Sequence, residues 1–191
     1  MCSGCEKAQA WLVCGAPGSG KSVLGRALAA DVGAVLLDQD VLTGPLTGVV
    51  ARLVGAEPED LDDPRLRAAL GGAPYDALLD TARDNLAIGR DIVVIAPFTL
   101  ALGSEAAVRA TAERLATTRI HVVWADCHPD ELLRRLRERG SARDRRKLAD
   151  FATWLARVRQ PPAAEHVRVD TSLPIDAQLA VARIAPDIGL S

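Results

Sequence analysis

The sequence predicts a three-layer α/β fold, a doubly wound parallel five-stranded sheet forming one domain over residues 1–191. Three observations carry this. Short apolar runs alternate with longer stretches of helical period. The runs are continuously apolar rather than alternating, as strands covered on both faces require. The chain has 191 residues, 49% apolar and 25% charged, enough to enclose a core but with little room for a second domain.

The strand runs are 11–15 (WLVCG), 34–37, 91–96 (DIVVIA), 119–125 (RIHVVWA) and 166–169. β-Branched residues fill the middle of the third and recur in the fourth. Helices are expected over 21–32, 74–89, 103–117, 129–139, 145–159 and 174–184. The first is rich in Leu and Ala spaced for one buried face. The helix at 129 opens with Pro129, Asp130 and Glu131, a good N-terminal signal. Right-handed crossovers then restrict the topology. Two segments break the rhythm: 41–73, with an acidic stretch at 57–63, and 134–147, crowded with arginines. Both are expected over the strand ends, where such sheets bind ligands.

A net charge of −2 gives no global basic field for nucleic acid or anionic membranes. The longest strongly apolar run, 92–98, is far shorter than the roughly 20 residues of a membrane span. The N-terminus lacks the basic start and apolar stretch of a signal peptide, so a cytoplasmic setting is expected. Residues 1–9 read as a flexible tail. Cys2 and Cys5 form a C-x-x-C there, without two further ligands at zinc spacing. Cys14 is expected in the core and Cys127 partly exposed. His121 and His166 lie at strand positions and read as structural, and His128 precedes a helix.

Gly15-Ala16-Pro17-Gly18-Ser19-Gly20-Lys21-Ser22 matches G-x-x-x-x-G-K-[ST] in full, between an apolar strand and a helix. Such glycines let the backbone wrap around phosphate oxygens, and the helix N-terminus adds partial positive charge. Lys21 is expected to reach the β- and γ-phosphates of ATP, and Ser22 to ligate Mg²⁺. Val23 closes the expected nucleotide-binding run. No N-K-x-D segment reads guanine, and no acid ends the 92–98 run, which disfavours a GTPase and a motor-type ATPase.

Asp38-Gln39-Asp40 closes the second strand run. As extended chain, Asp38 and Asp40 point the same way. A carboxylate there can take the proton of an attacking hydroxyl or hold magnesium. The alternative is a helix N-cap at Asp40. In the basic segment, Arg139 and Arg143 flank the break Gly140-Ser141, with Arg135 one turn earlier. They are candidates to stabilise a transferring phosphoryl group. The alternative is a solvated basic helix face.

A phosphate loop on the first strand, an Asp after the second, an Arg-rich segment and about 190 residues together resemble the small P-loop kinases. That group includes adenylate, shikimate and gluconate kinases, chloramphenicol phosphotransferase and the kinase domain of polynucleotide kinases. The resemblance implies a P-loop NTPase kinase-like fold with a helical lid over 134–147 and an acceptor-side segment over 41–73. It implies ATP and Mg²⁺, with Ser22 and Asp38 on the metal. Asp40, Lys21, Asp38, Arg139 and Arg143 would be catalytic, and Arg135 and Thr171 would lie on the nucleotide side, Thr171 in the loop against adenine. Asp40-Val41-Leu42 with Pro45-Leu46 is similar to the segment carrying the catalytic Asp of chloramphenicol phosphotransferase. Polynucleotide kinases carry an Arg three residues after the base, where this chain has Thr43. Aromatics are only 3%, so stacking platforms for bases are scarce.

The expected function is transfer of the γ-phosphate of ATP to a hydroxyl of a small molecule, a metabolite or an antibiotic. A nucleoside or polynucleotide 5′-hydroxyl kinase and a non-catalytic ATP-binding regulator are the alternatives. Arg52, Arg65 and Arg67 read as surface charges. Tyr75 and Phe98 either wall the acceptor pocket or only pack.

Overall fold

The computed structural model describes residues 8–117 and 119–188. Five strands form one sheet: β1 (Ala10–Cys14), β2 (Val35–Asp38), β3 (Ile92–Ile95), β4 (Ile120–Asp126) and β5 (Val167–Asp170). Their order is β2-β3-β1-β4-β5, and every pairing is parallel. β1 is therefore central. The chain leaves it for β2 on one side, and later crosses from β3 over β1 to β4. That reversal puts the end of β1 at a topological switch point, where ligands bind in open α/β sheets.

Helices cover both faces. α1 (Lys21–Val32) and α9 (Ile175–Ala182) lie on one, where Leu24, Leu28 and Ala182 pack against Val13, Val93, Ile95 and Val123. α4 (Ala73–Ala87) and α5 (Glu105–Leu115) lie on the other, where Leu78, Ala82 and Leu115 meet Leu12, Val94 and Val122. This is why β3 reads IVVI without alternation, since each side chain meets a helix layer. His121 is structural, as expected. Its ring stacks on Trp11, and its nitrogens lie 2.8 Å from the Ala185 carbonyl and 3.2 Å from Gln9 Oε1.

Two expectations about elements change. The 41–73 segment is mostly helical: α2 (Gln39–Leu53) follows β2 directly, and α3 (Pro64–Leu70) follows the acidic stretch. α2 buries Thr43, Thr47 and Ala51, whereas Val41, Leu46 and Leu53 face outward. Small polar residues inside and apolar residues outside hide the helical period. Pro45 sits within α2, where it lacks the N–H for one intrahelical bond. The 145–159 helix is broken at Asp150 into α7 (Arg145–Ala149) and α8 (Phe151–Val158). The Asp150 carboxylate accepts from the Thr153 amide at 3.3 Å and caps α8.

Cys127 is buried, not partly exposed. α6 (Pro129–Arg139) folds back over the glycine loop, and Leu132, Leu136 and Trp154 enclose Cys127 and Ala16 in a small separate core. Cys14 is buried as expected, with its thiol pushed up to about 12 by desolvation. Cys2 and Cys5, with most of the 1–9 tail, lie outside the described residues. Among the described residues, no helix is long and apolar enough to cross a membrane.

Candidate active site

The glycine loop leaves the C-terminal end of β1 and enters α1. Its shape demands glycine at Gly15, where φ is +147° and a Cβ would lie 2.3 Å from the Ala125 carbonyl oxygen. The same holds at Gly20, the N-cap of α1, where φ is +87° and a Cβ would press on Thr171 and Arg135. No side chain caps α1 and its first turn holds no acid. The first-turn amides thus form an anion-binding end with no built-in competitor.

Lys21 opens α1. Burial pushes its ammonium below the usual lysine value, Asp40 and Asp38 pull it back, and Arg139 and Lys147 push it down again. Among the described residues Lys21 makes no hydrogen bond or ion pair. Lys21 is only partly buried by surface area, but a partly desolvated cation without a partner is still costly, and an anion at that place relieves the cost. The Ser22 hydroxyl is half-buried and also without a partner among the described residues. The buried Ser19 Oγ lies on the loop and has none either.

Asp38 ends β2 in extended conformation, but α2 begins at Gln39, so Asp40 is helical and the two do not share an extended segment. Asp38 is 8% exposed and is the N-cap, accepting from the Asp40 amide at 3.1 Å. The cap therefore belongs to Asp38, not to Asp40. Asp40 stands in the first turn of α2 with its side chain 68% exposed, and Arg143 approaches it at 4.0 Å. Asp38 pairs in register with Ile95, which pairs with Val13. It thus sits two strand spacings, about 10 Å, from the end of β1. One Asp38 oxygen serves the cap and the other has no partner among the described residues. A carboxylate oxygen such as this one and a hydroxyl such as that of Ser22 are the hard-oxygen donor types that suit Mg²⁺.

The arginines of the basic segment divide by partner. Arg139 holds the fully buried Asp144 with two bonds, at 2.8 and 2.7 Å, and Lys147 joins the same carboxylate at 2.8 Å. Burial works against the charged Asp144 carboxylate, but its bonds to Lys147 and Arg139 outweigh this and hold its pKa low. Arg143 follows the break at Gly140-Ser141 and is the one that faces Asp40. Arg135 donates to Glu131 at 2.7 Å, to the Thr171 hydroxyl at 3.0 Å and to the Thr171 carbonyl at 2.8 Å.

Thr171 differs from its expected place against a base. It is buried, and its single hydroxyl proton goes to the Ser19 carbonyl at 2.6 Å. Asp170 serves the following turn, accepting from the Ser172 amide and hydroxyl. Val23, at the end of the expected nucleotide run, is exposed on the first turn of α1. Arg65 pairs with Asp63, and Arg67 lies 3.9 Å from Asp62.

Beside this edge lies a cavity of about 780 Å³. Gln39, between the two aspartates, lines it, as do Tyr75, Pro97 and Phe98.

The AAA domain family matches residues 11–171, the span from β1 through the Thr171 loop. The chain belongs to this AAA domain family. No curated protein sequence matches the chain. Solved structures share the fold of this AAA domain. A Chloroflexus aurantiacus J-10-fl protein described as a kinase has a TM-score of 0.67 at 22% identity, over 94% of this chain and 96% of that one. The Sinorhizobium meliloti 1021 gluconokinase has a TM-score of 0.57 at 24% identity, over 94% of each chain. The Mycobacterium tuberculosis APS kinase, solved with AMPPNP and APS, has a TM-score of 0.59 at 19% identity, over 91% of this chain and 94% of that one. The fold is that of the small P-loop kinases.

Three acids of this AAA domain escape sequence reasoning. Asp126 ends β4 and accepts from Arg159 at 2.8 and 2.7 Å and from Arg168 at 2.9 Å. Asp144 anchors Arg139 and Lys147. Asp60 holds Arg146 at 2.9 Å, joining the acidic 57–63 stretch to the basic segment. Asp126 ends an apolar run just as Asp38 does, so position alone does not separate a structural acid from one at the site.

Proposed function

We propose that this protein is an ATP-dependent phosphotransferase that moves the γ-phosphate to a hydroxyl of a small molecule. The observation that carries the reading is Lys21, a cation with no partner among the described residues, set where a glycine loop and an uncapped helix end converge.

In this reading the loop amides and Lys21 bind the β- and γ-phosphates, and Ser22 and Asp38 hold Mg²⁺. Bound there, the metal neutralises charge on the β- and γ-oxygens. Asp40 takes the acceptor proton. The acceptor oxygen forms a bond to the γ-phosphorus while the bond from that phosphorus to the β,γ-bridging oxygen breaks, leaving ADP. Arg143, beside Asp40, faces the charge that spreads over the transferring group. Arg139 and Lys147, anchored on Asp144, contribute positive field at Lys21. The 134–147 segment acts as the lid that covers the nucleotide, and its closure excludes water.

Two substitutions at the same strand end test the assignment. Asp40→Asn should lower kcat about 10³-fold and leave ATP affinity within twofold. Asp38→Asn retains a good N-cap, so it should leave the fold intact and raise the magnesium concentration needed for half-maximal rate. Unchanged transfer by Asp40→Asn would remove the base from the scheme.

A further inference from the structure

The charges that line the cavity beside Gln39 are balanced. Its charged lining is two arginines, Arg67 and Arg114, and two aspartates, Asp62 and Asp76, which cancel. Arg114 is engaged by both Asp76 and Asp80. Arg67 has Asp62 beside it at 3.9 Å. Both cations of the wall are therefore already met by carboxylates of this chain.

The hollow beyond Arg67 is a separate, basic surface, and two of its cations are held by carboxylates outside its lining. Arg146 is held by Asp60 at 2.9 Å and Lys147 by Asp144 at 2.8 Å, and Arg157 shares the hollow with Asp150. An anionic acceptor in the cavity beside Gln39 would find both wall cations already engaged and would meet the two aspartates of the wall.

The rest of the wall carries no charge and is mostly apolar, with Gln39, Thr99 and Thr111 as its polar members and two aromatic rings. The chain has six aromatic residues, three Trp, one Tyr and two Phe, and two of them stand together at this cavity. Tyr75 and Phe98 meet edge to face, with ring centroids 5.6 Å apart and planes at 84°. Phe98 is 2% exposed and holds φ at +53°, a left-handed conformation that is unusual for a bulky residue. Backbone strain of this kind concentrates at ligand sites, where surrounding packing holds it. The Tyr75 hydroxyl is buried with no hydrogen-bond partner among the described residues. The volume, about 780 Å³, suits a compact organic molecule.

We infer that the acceptor is an uncharged alcohol with an apolar or aromatic body, seated in the cavity between Tyr75–Phe98 and the balanced arginines. This rests on the phosphotransferase reading and narrows it. It separates the chain from folds of the same shape whose acceptors are anionic.

The test is a set of hydroxyl-bearing compounds split evenly between uncharged apolar-bodied alcohols and alcohols of matched size carrying a carboxylate, sulfate or phosphate. Transfer is scored by ADP release and by the mass of the phosphorylated product, using the full chain. The best uncharged compounds should exceed the best anionic ones at least about tenfold in kcat/KM, equivalent to roughly 1.4 kcal/mol. Asp62→Asn adds a second reading. It removes the carboxylate beside Arg67 at a site half exposed, so the fold should persist and the preference should move several-fold towards anionic acceptors. Transfer mainly to anionic alcohols by the unaltered protein overturns the inference and leaves the phosphotransferase reading standing. So does an Asp62→Asn preference identical to that of the parent chain. ATP binding without transfer to any member of either half counts against the phosphotransferase reading itself and withdraws the inference with it.

Discussion

The edges proposed here for the nucleotide and for the acceptor are built differently. At the nucleotide edge the backbone makes the site: one unbroken run, Gly15 to Ser22, supplies the cradle, the cation and a hydroxyl. Behind it the loop is tied down by paired groups, from the Thr171 bond to the Ser19 carbonyl to Arg135 on Thr171. At the acceptor edge side chains make the site. They come from the start of α2, the turn into α4, the loop after β3 and α5, segments up to 75 residues apart from Gln39 to Arg114. A backbone cradle tolerates few residues, whereas a side-chain wall can be rebuilt one residue at a time. The fixed reaction and the variable substrate of such a fold thus have separate physical seats.

Removing the cation at the nucleotide edge is the sharpest way to break this contrast. Lys21→Ala should lower transfer about 10³-fold or more, through loss of charge stabilisation at the transferring group. It should also leave the melting temperature of the ligand-free protein unchanged or raised, because Lys21 is partly buried and without a partner among the described residues. The ATP-induced rise in melting temperature should shrink in step. Calorimetry with and without ATP checks both. A large loss of ligand-free stability would mean that Lys21 serves the fold rather than the nucleotide.

The cradle itself is next. Gly15→Ala puts a Cβ 2.3 Å from the Ala125 carbonyl oxygen, with φ at +147°. The clash is with backbone, so the end of β4 must move. A loss of about 3 kcal/mol is expected, or roughly 6–12 °C in melting temperature for a chain of this size. Gly33 lies at the far end of α1, where φ is +69° and a Cβ would meet nothing within 4 Å. Gly33→Ala meets only the backbone penalty, about 1 kcal/mol. Thermal denaturation of the two variants side by side would show whether the loop is special or merely rich in glycine.

The same asymmetry governs how much of the molecule is legible in its sequence. The loop can be read because a contiguous motif fixes both its residues and its place after a strand, and the five strands because their apolar runs are continuous. The acidic pair can be found, but not its geometry. Asp38 and Asp40 suggest an extended dipeptide, whereas α2 starts at Gln39 and makes Asp38 its cap. α2 itself is obscured by Pro45 and by apolar residues on its outer face. The partners of the arginines are not legible at all. Asp144 is one acid within a basic run, and only the fold shows that it is fully buried beneath Arg139 and Lys147. Cys127 is misplaced by its sequence for a similar reason, since nothing in its neighbours says that α6 will fold back over it.

Between the two edges stands Thr171, whose hydroxyl donates to the Ser19 carbonyl of the loop. Thr171→Val keeps the shape but leaves the buried Ser19 carbonyl without its 2.6 Å donor and Arg135 without one acceptor. A loss of about 1–3 kcal/mol is expected. KM for ATP should rise because the loop loosens, while acceptor KM stays within twofold. Thr171→Ser restores the hydroxyl and should recover most of the ATP affinity. Steady-state kinetics of the pair, with each substrate varied in turn, measures this. An equal change in both KM values would mean that the two edges are not separable.

The smallest effect sharpens the comparison from behind the loop. Glu131 accepts from Arg134 at 2.8 and 2.7 Å and from Arg135 at 2.7 Å, and these bonds lower its carboxyl from an ordinary value near 4.5 to about 2. A carboxyl with a depressed value in the folded state adds stability that is complete above its unfolded value and fades as pH falls through the folded one. The Glu131 contribution should therefore be present at neutral pH and disappear between about pH 4.5 and 2. Asp63, held down to about 2 by Arg65, titrates over the same window and supplies a background slope. Glu131→Gln should thus melt slightly below the parent at pH 7, by a small margin because the pairs are solvent-screened. The two melting curves should converge as pH approaches 2. Because Arg135 also holds Thr171, the variant should lose a little ATP affinity at neutral pH and none of its acceptor affinity. A melting difference that stays constant from about pH 7 to about pH 2.5 would mean that Glu131 acts through packing rather than charge, and that the support behind the phosphate loop is not electrostatic.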